Sequence, residues 1–434
     1  MIQPYEFDLV IVGGGPGGST AAAFARQHGL KVLLVEKEEF PRFHIGESLL
    51  PMGNAVMRET GVWPKLAAAG FIQKFGAAFF TSNGRAMTEI QFSEGLVPGL
   101  DYTFQVERAK FDALLLDHAR ELGTEVRIRT LARSVETKDG IHHVRLETGP
   151  AVQTVTARWV LDASGRDNLF STGRKRSNDP SPFPKRIAIY NHFIGVSRAS
   201  GPAGGHTVAV RLENGWFWLI PIDAERTSVG LVTTVEAMRG AGLRPEDLFA
   251  RAVAGSAKLR ELFAQATPTM PFHVTSDYSY FRQELADERL LLVGDAAGFF
   301  DPIFSTGVYM SMWSAKMAVG LIIRADAAKR GLTLAERRRY TKAVKRHAGV
   351  FQRLIAMFYD NETFAVFMSQ QVPWKIRLAI CSIVAGHADM KWSLWWRWRT
   401  FLLVCWLQRH GFKMCLKLDY AEPVMEPLSS PANS

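Results

Sequence analysis

The sequence predicts an α/β protein in which residues 1–335 form a core around a Rossmann-like dinucleotide-binding unit and residues 336–434 are helical. Three observations predict it. An apolar strand at 7–12 runs straight into Gly13-Gly14-Gly15-Pro16-Gly17-Gly18 and a small-residue helix over 19–27. A second apolar strand, 31–35, ends at Glu36. A third apolar run, Leu290 to Val293, turns at Gly294-Asp295 into small residues that permit close backbone approach.

Each element has a physical reason. Gly13 makes the turn after the strand, Gly15 lets the backbone meet a pyrophosphate at the helix N-terminus, and Gly18 lets the helix pack on the strand. Glu36 stands where a carboxylate accepts both ribose hydroxyls of an adenosine, which favours FAD or NAD over a 2′-phosphorylated cofactor. Gly13, Gly15, Pro16, Gly18, Glu36 and Lys37 are therefore the expected cofactor contacts of this unit. Further on, Pro302, Ser305 and Gly307 lead into a helix predicted over 308–323, whose start is a natural anion site. Taken alone, 291–307 reads equally well as a buried strand with a tight turn and a helix cap.

With 434 residues, 47% hydrophobic and 22% charged, the chain can bury a large core and has room for two or three domains. Its three cysteines, Cys381, Cys405 and Cys415, come late and lack metal-ligand spacing. They suit a reduced cytoplasmic protein without disulfides or structural metal. The chain reaches its first strand six residues after Met1 with no basic n-region or cleavage site, as a mature fold does. The net charge of +10 is uneven, with 15 Lys and Arg against 7 Asp and Glu from Glu336 onward. Such a face is usually only solvated; the sharper readings are an acidic partner protein or a membrane surface. No motif for nucleic acid accompanies it.

The segment after the second strand, Arg42-Phe43-His44-Ile45-Gly46-Glu47-Ser48, is not an ordinary connection. It resembles the R-x-x-x-G-E-S stretch of the flavin-dependent halogenases. With Asp162-Ala163-Ser164-Gly165 and Gly294-Asp295 it is similar to the distributed FAD signature of the wider hydroxylase-like flavoproteins. The resemblance implies an FAD-binding Rossmann-like domain of the glutathione-reductase/hydroxylase type. A mostly antiparallel substrate-side sheet would be inserted at about 75–105 and 171–284. It implies FAD as cofactor, with Arg42, Ser48, Asp162, Gly294, Asp295 and Pro302 among its contacts and Arg108 against it from the helix side. The lesser alternative for Arg108 is a surface salt bridge.

Three features then match halogenases and not their hydroxylase relatives. Phe71-Ile72-Gln73-Lys74-Phe75-Gly76-Ala77 resembles F-x-x-K-x-G-A, whose lysine receives the oxidised halogen; alone, Lys74 reads as a snorkelling surface side chain. Gly215-Trp216-Phe217-Trp218-Leu219-Ile220-Pro221 resembles W-x-W-x-I-P; alone, it is a strand with two large rings on one face of a core. The run from Phe299 through Pro302 and Ser305 to Gly307 resembles F-x-x-P-x-x-S-x-G, in which the Thr306 and Gly307 amides would hold halide. Lys74, Trp216, Trp218 and Ser305 are thus the expected catalytic residues. The resemblance spans about 7–365.

The activity it implies is a two-electron oxidation of chloride or bromide by reduced FAD and O₂. Hypohalous acid would then pass to Lys74 and on to an electron-rich ring. Partial burial would lower the pKa of Lys74 and favour the neutral amine. The two tryptophans would wall flavin from substrate. Tryptophan halogenases carry a glutamate before the motif serine, whereas this chain has Phe304. A phenol or pyrrole is therefore expected, free or as a thioester on an acidic acyl or peptidyl carrier protein, with an NAD(P)H-dependent flavin reductase as electron source. The competing readings are an FAD hydroxylase, an FAD dehydrogenase or reductase of a lipid-like substrate, and a non-catalytic flavin-binding module.

In the C-terminal quarter, 336–370 reads as one long helix or two short ones, whose later apolar residues would cap the substrate pocket. Residues 391–406 hold five of the eleven tryptophans, and Arg397 and Arg399 disfavour a spanning helix. This stretch suits a membrane interface, a dimer contact, or a helix lying over the core. Residues 421–434, with three prolines and three serines, are predicted disordered.

Overall fold

The computed structural model describes residues 5–167, 178–179, 183–277, 279–299, 301–369 and 375–420. The tail predicted to be disordered, 421–434, lies outside them, as do Phe300 of the halide-loop motif and part of the predicted insertion.

Two sheets carry the architecture. In the first, the parallel strands Glu125–Arg127, Val32–Val35, Phe7–Val12 and Ala151–Asp162 lie side by side, and Leu290–Leu292 joins the end of the last of them. The long strand Ala151–Asp162 begins instead as an antiparallel partner of Ile141–Thr148, which pairs in turn with Thr130–Lys138. Alternation sorts the side chains by face, as the two-residue period of a strand requires. Leu9, Ile11, Trp159 and Leu161 enter the main core, while Val10, Val12, Val35 and Val160 pack with Val144 and Leu146 on the far side.

The helices Pro16–Gln27, Arg108–Glu121 and Thr306–Ala327 carry the residues that bury the main-core face. At the glycine turn, Gly13 has φ +103, and a Cβ on Gly18 would lie 1.8 Å from the Gly13 carbonyl oxygen. Only glycine lets this helix start so close to its strand. The helix begins at Pro16, three residues before the composition-based start, because proline is preorganised for the first helical position.

The second sheet is the substrate-side layer. Its main strands are Arg186–Ile194, Thr227–Thr234, Gly215–Pro221, Thr207–Leu212, Gly76–Thr81 and Met87–Gln91. All neighbouring pairs are antiparallel except Thr207–Leu212 with Gly76–Thr81, where the two inserted segments meet. Its outer face packs Phe217, Leu219, Val229 and Leu231 against Leu248 and Phe249. The inner face presents Trp216 and Trp218 to the main core.

The C-terminal chain folds back over this layer. Leu334–Tyr359 opens with a capping box between Thr333 and Glu336, and Asp360 ends it while capping Asn361–Met368 through the Thr363 amide at 2.9 Å. The stretch is therefore two helices with one carboxylate at the joint. Arg377–Val384 follows, and Ser382 accepts from the Leu96 amide at 2.7 Å. Trp392–Arg409 lays Leu394, Trp398, Phe401, Val404 and Cys405 on the core and leaves its other face exposed. No helix among the described residues is long and apolar enough to cross a membrane.

Candidate active site

The sequence-predicted residues gather in two neighbouring places. The first is a cradle at the ends of the parallel strands. Glu36 is buried and accepts from the Gly14 amide at 2.7 Å and the Glu38 amide at 2.9 Å, so its carboxylate is fixed before any ribose arrives. Asp162, at the end of its strand, accepts from the Ser164 amide and hydroxyl at 3.0 and 2.6 Å. Gly294 turns with φ +58, and Ser311 of the following helix closes against it. Burial pushes the Asp295 carboxyl up to about 6, against the pull of Arg166 and Arg108. Lys37 is half-exposed beside Glu38 at the rim, away from the glycines.

Above Gly15 stands Arg42. A Cβ on Gly15 would meet only the Arg42 guanidinium, at 3.5 Å. Its Nε and Nη1 are buried without a hydrogen bond, and the nearest carboxylates, Glu38 and Asp112, are 3.5 and 3.7 Å away. A buried guanidinium with unmade hydrogen bonds over a helix N-terminus fits a pyrophosphate. Arg108 is not a surface ion pair. It is buried, grips Asp112 through two 2.8 Å bonds, and donates to the Ile45 carbonyl at 2.8 Å. It thus braces the Arg42–Ser48 segment against the helix.

The second place is a cavity under the substrate-side sheet. Lys74 and Phe79 line one wall and Ile303, Phe304 and Ser305 the other, with Val384 from the C-terminal chain. Lys74 ends the short strand Ile72–Lys74 and is 2% exposed. Its Nζ donates to Ser48 Oγ at 2.8 Å and to the Leu49 carbonyl at 3.1 Å, and burial brings its pKa down to about 7. Ser48 meets Thr207 at 2.9 Å, and Gln105 donates to Thr207 at 3.0 Å. Ser48 Oγ thus links the lysine to Thr207. His206 lies 3.1 Å from Glu89, yet burial and the nearby Lys74 lower its pKa to about 4, so its imidazole is neutral.

Opposite the lysine, Ser305 has φ +55 and begins Thr306–Ala327 without a side-chain cap. Thr306 is buried, Gly307 borders open space and Pro302 is exposed. Asp301 sets this loop. Its Oδ1 accepts from the Ile303 amide at 3.1 Å, Oδ2 accepts from the Tyr359 hydroxyl at 2.6 Å, and Arg186 is 3.8 Å away. Trp216 donates through Nε1 to the same Tyr359 oxygen at 2.7 Å. Trp218 donates to Ser228 at 3.2 Å, its ring 5.9 Å from that of Trp216. Both tryptophans are buried in the main core, and Trp216 is tied to Asp301 through Tyr359.

The model of the Tryptophan halogenase family matches residues 8–90 and 80–365. The chain belongs to this family. A relative in Pseudomonas fluorescens, a 1H-pyrrole-2-carbonyl-[peptidyl-carrier protein] chlorinase, is 33% identical over 89% of this chain and 90% of its own. The corresponding brominase of Pseudoalteromonas luteoviolacea is 32% identical over 71% and 75%. Among solved structures, a flavin-dependent brominase superposes with TM-score 0.82 at 26% identity, covering 93% of this chain and 99% of that one. A flavoprotein/dehydrogenase from Cytophaga hutchinsonii gives 0.85 at 27%, with the same coverage.

As a flavin-dependent halogenase the chain uses reduced FAD, with halide as co-substrate. The cradle fits that cofactor on its own evidence, the Arg42 guanidinium above Gly15. Several residues around the site carried no signal in the sequence. Tyr359 closes a long amphipathic helix and looks like its neighbours, and Thr207, Gln105 and His206 sit in segments without a motif. Asp301 lies inside a motif, but its partners are 58 and 115 residues away in sequence.

Two outcomes are expected. Arg42→Ala should raise the FAD dissociation constant about tenfold to a hundredfold, the worth of one or two charge-assisted hydrogen bonds, with unchanged circular dichroism; flavin fluorescence titration measures it. Tyr359→Phe leaves Asp301 and Trp216 each short of a bond. It should cost about 1–3 kcal/mol in urea unfolding and raise the halide KM more than the KM for the ring substrate.

Proposed function

We propose that this halogenase modifies a pyrrole- or phenol-type ring held as a thioester on an acyl or peptidyl carrier protein, with Lys74 handing the halogen to the ring. The observation that carries the reading is a buried lysine, its pKa brought down to about 7, facing Phe304 and Ser305 across one cavity. Reduced FAD, when bound, supplies with O₂ the oxidation of halide to hypohalous acid. The Thr306 and Gly307 amides, at the start of a 22-residue helix, hold the halide by the partial positive charge of that terminus.

Lys74 then acts on hypohalous acid. Its neutral amine takes the halogen as a haloamine and releases water, or holds the acid by hydrogen bond; either way the halogen goes to ring carbon and a ring proton is lost. Ser48 and the Leu49 carbonyl aim the Nζ lone pair into the cavity. Trp216 and Trp218 keep ring and flavin apart, and Ser305 holds the loop in its left-handed turn. The wall at Phe304 is aromatic, backed by Phe79, Phe358 and Phe367, so the ring must be activated by its own nitrogen or oxygen. The names of the two relatives acting on carrier-bound pyrrole favour a tethered substrate. A separate NAD(P)H-dependent flavin reductase supplies the electrons, and the free cysteines suit the reducing cytoplasm.

Lys74→Ala should abolish halogenation of a carrier-bound pyrrole, followed by mass spectrometry, while an enolisable dione still traps hypohalous acid at the wild-type rate. Ring halogenation at the normal rate in that variant would refute the assignment. In the wild type the neutral amine fraction grows as pH rises through about 7. Single-turnover ring halogenation should therefore climb about tenfold per unit below pH 7 and level off above 8. Lys74→Arg, charged throughout, should stay inactive at every pH.

A further inference from the structure

We propose that the exposed face of Trp392–Arg409 is a docking surface for an anionic lipid bilayer, on which the enzyme rests with this helix in the headgroup plane. Seven of the thirteen large hydrophobic side chains that are exposed among the described residues fall between 392 and 416. Trp392, Trp395, Leu403 and Trp406 project within about 80° of arc on one face, since the helix turns about 100° per residue. The opposite face, Leu394, Trp398, Phe401 and Val404, is buried on the protein, so the stripe is not a core face left open by a missing element. The chain just after the helix continues the apolar surface with Phe412, Met414 and Leu416, the last 91% exposed.

Charge identifies the occupant. Residues 391–418 contain six Lys and Arg and no Asp or Glu. Arg409 and Lys417 reach Asp360 and Glu362 on neighbouring segments, whereas Lys391, Arg397, Arg399 and Lys413 form no ion pair among the described residues. Arg399 lies along the stripe with its guanidinium 5.9 Å from the Trp395 ring, whereas Arg397 falls on the opposite side of the helix, where it donates to Ser393 and lies over Trp396 at 4.4 Å. Indoles with cations at the same level are the chemistry of a bilayer interface, where rings enter the acyl boundary and guanidinium groups meet phosphate. A second copy of the chain is a poor occupant, because a two-fold contact would set this carboxylate-free surface against itself. The stripe spans about 21 Å, long enough to lie flat on a membrane and too polar to cross one.

The test is co-sedimentation of the full-length FAD-loaded protein with vesicles of phosphatidylcholine alone or with phosphatidylglycerol added. Binding should be at least tenfold stronger to the anionic vesicles and fall steeply with salt. Combined Trp392→Ser, Trp395→Ser and Trp406→Ser should lose it at least tenfold, as should combined Lys391→Gln, Arg399→Gln and Lys413→Gln. Both variants should keep the wild-type melting temperature and FAD affinity. Wild-type protein that ignores anionic vesicles at low salt, or a tryptophan variant that binds like wild type, overturns the proposal. So does a dimer in sedimentation velocity that the tryptophan variant dissolves, or capture of an acidic carrier protein through the same tryptophans without vesicle binding.

Discussion

The carboxylate of Asp301 is the constraint on which the site depends. It is fully buried, so it is tolerable only while paired. Burial pushes its pKa up, while Arg186 and the hydroxyl of Tyr359 pull it back. Its other oxygen caps the turn Pro302–Phe304, after which Ser305 sits in the left-handed region and the long helix begins. A residue other than glycine persists there only when its surroundings over-determine the backbone. Those surroundings come from three distant parts of the chain: a sheet strand through Arg186, the tryptophan strand through Trp216, and a C-terminal helix through Tyr359.

Lys74 shows the opposite economy. No carboxylate among the described residues forms an ion pair with it; Ser48 and the Leu49 carbonyl accept hydrogen bonds from it, and the Phe92 ring lies 5.3 Å from Nζ. Hydrogen bonds hold the side chain in place, while burial disfavours its charge. That combination separates position from protonation, which a lysine meant to act as a neutral amine requires. Burial likewise, with the charge of Lys74, keeps the neighbouring His206 neutral.

The parts of the fold written in short-range pattern were legible in the sequence. The glycine turn, the alternating strands and the tryptophan strand follow from local sterics and the two-residue period, and each lies where its pattern put it. The motif lysine was legible as a residue but not as an environment. Read alone, Lys74 resembles a surface side chain; the pairing of its strand with Thr103–Gln105 and the contacts of its Nζ with Ser48, Leu49 and Phe92 bury it. Arg108 likewise turns from a plausible surface pair into an internal brace once Ile45 passes over it. The bond from Lys74 to Ser48 was not legible either, since 26 residues separate the two. Tyr359 was invisible, since a hydrogen bond spanning 143 residues leaves no periodicity behind.

The tyrosine bridge also bears on how the molecule comes apart. Arg211, inside the substrate-side sheet, donates to the Tyr359 carbonyl, to Asn361 and to the hydroxyl of Tyr420, so the sheet holds the C-terminal chain at three points. Peeling the C-terminal chain away would strip Asp301 of a partner and open the lysine cavity to water in the same event. The free energy of the catalytic loop and that of the C-terminal wrap are therefore one quantity, and heat or denaturant should melt them in a single cooperative step.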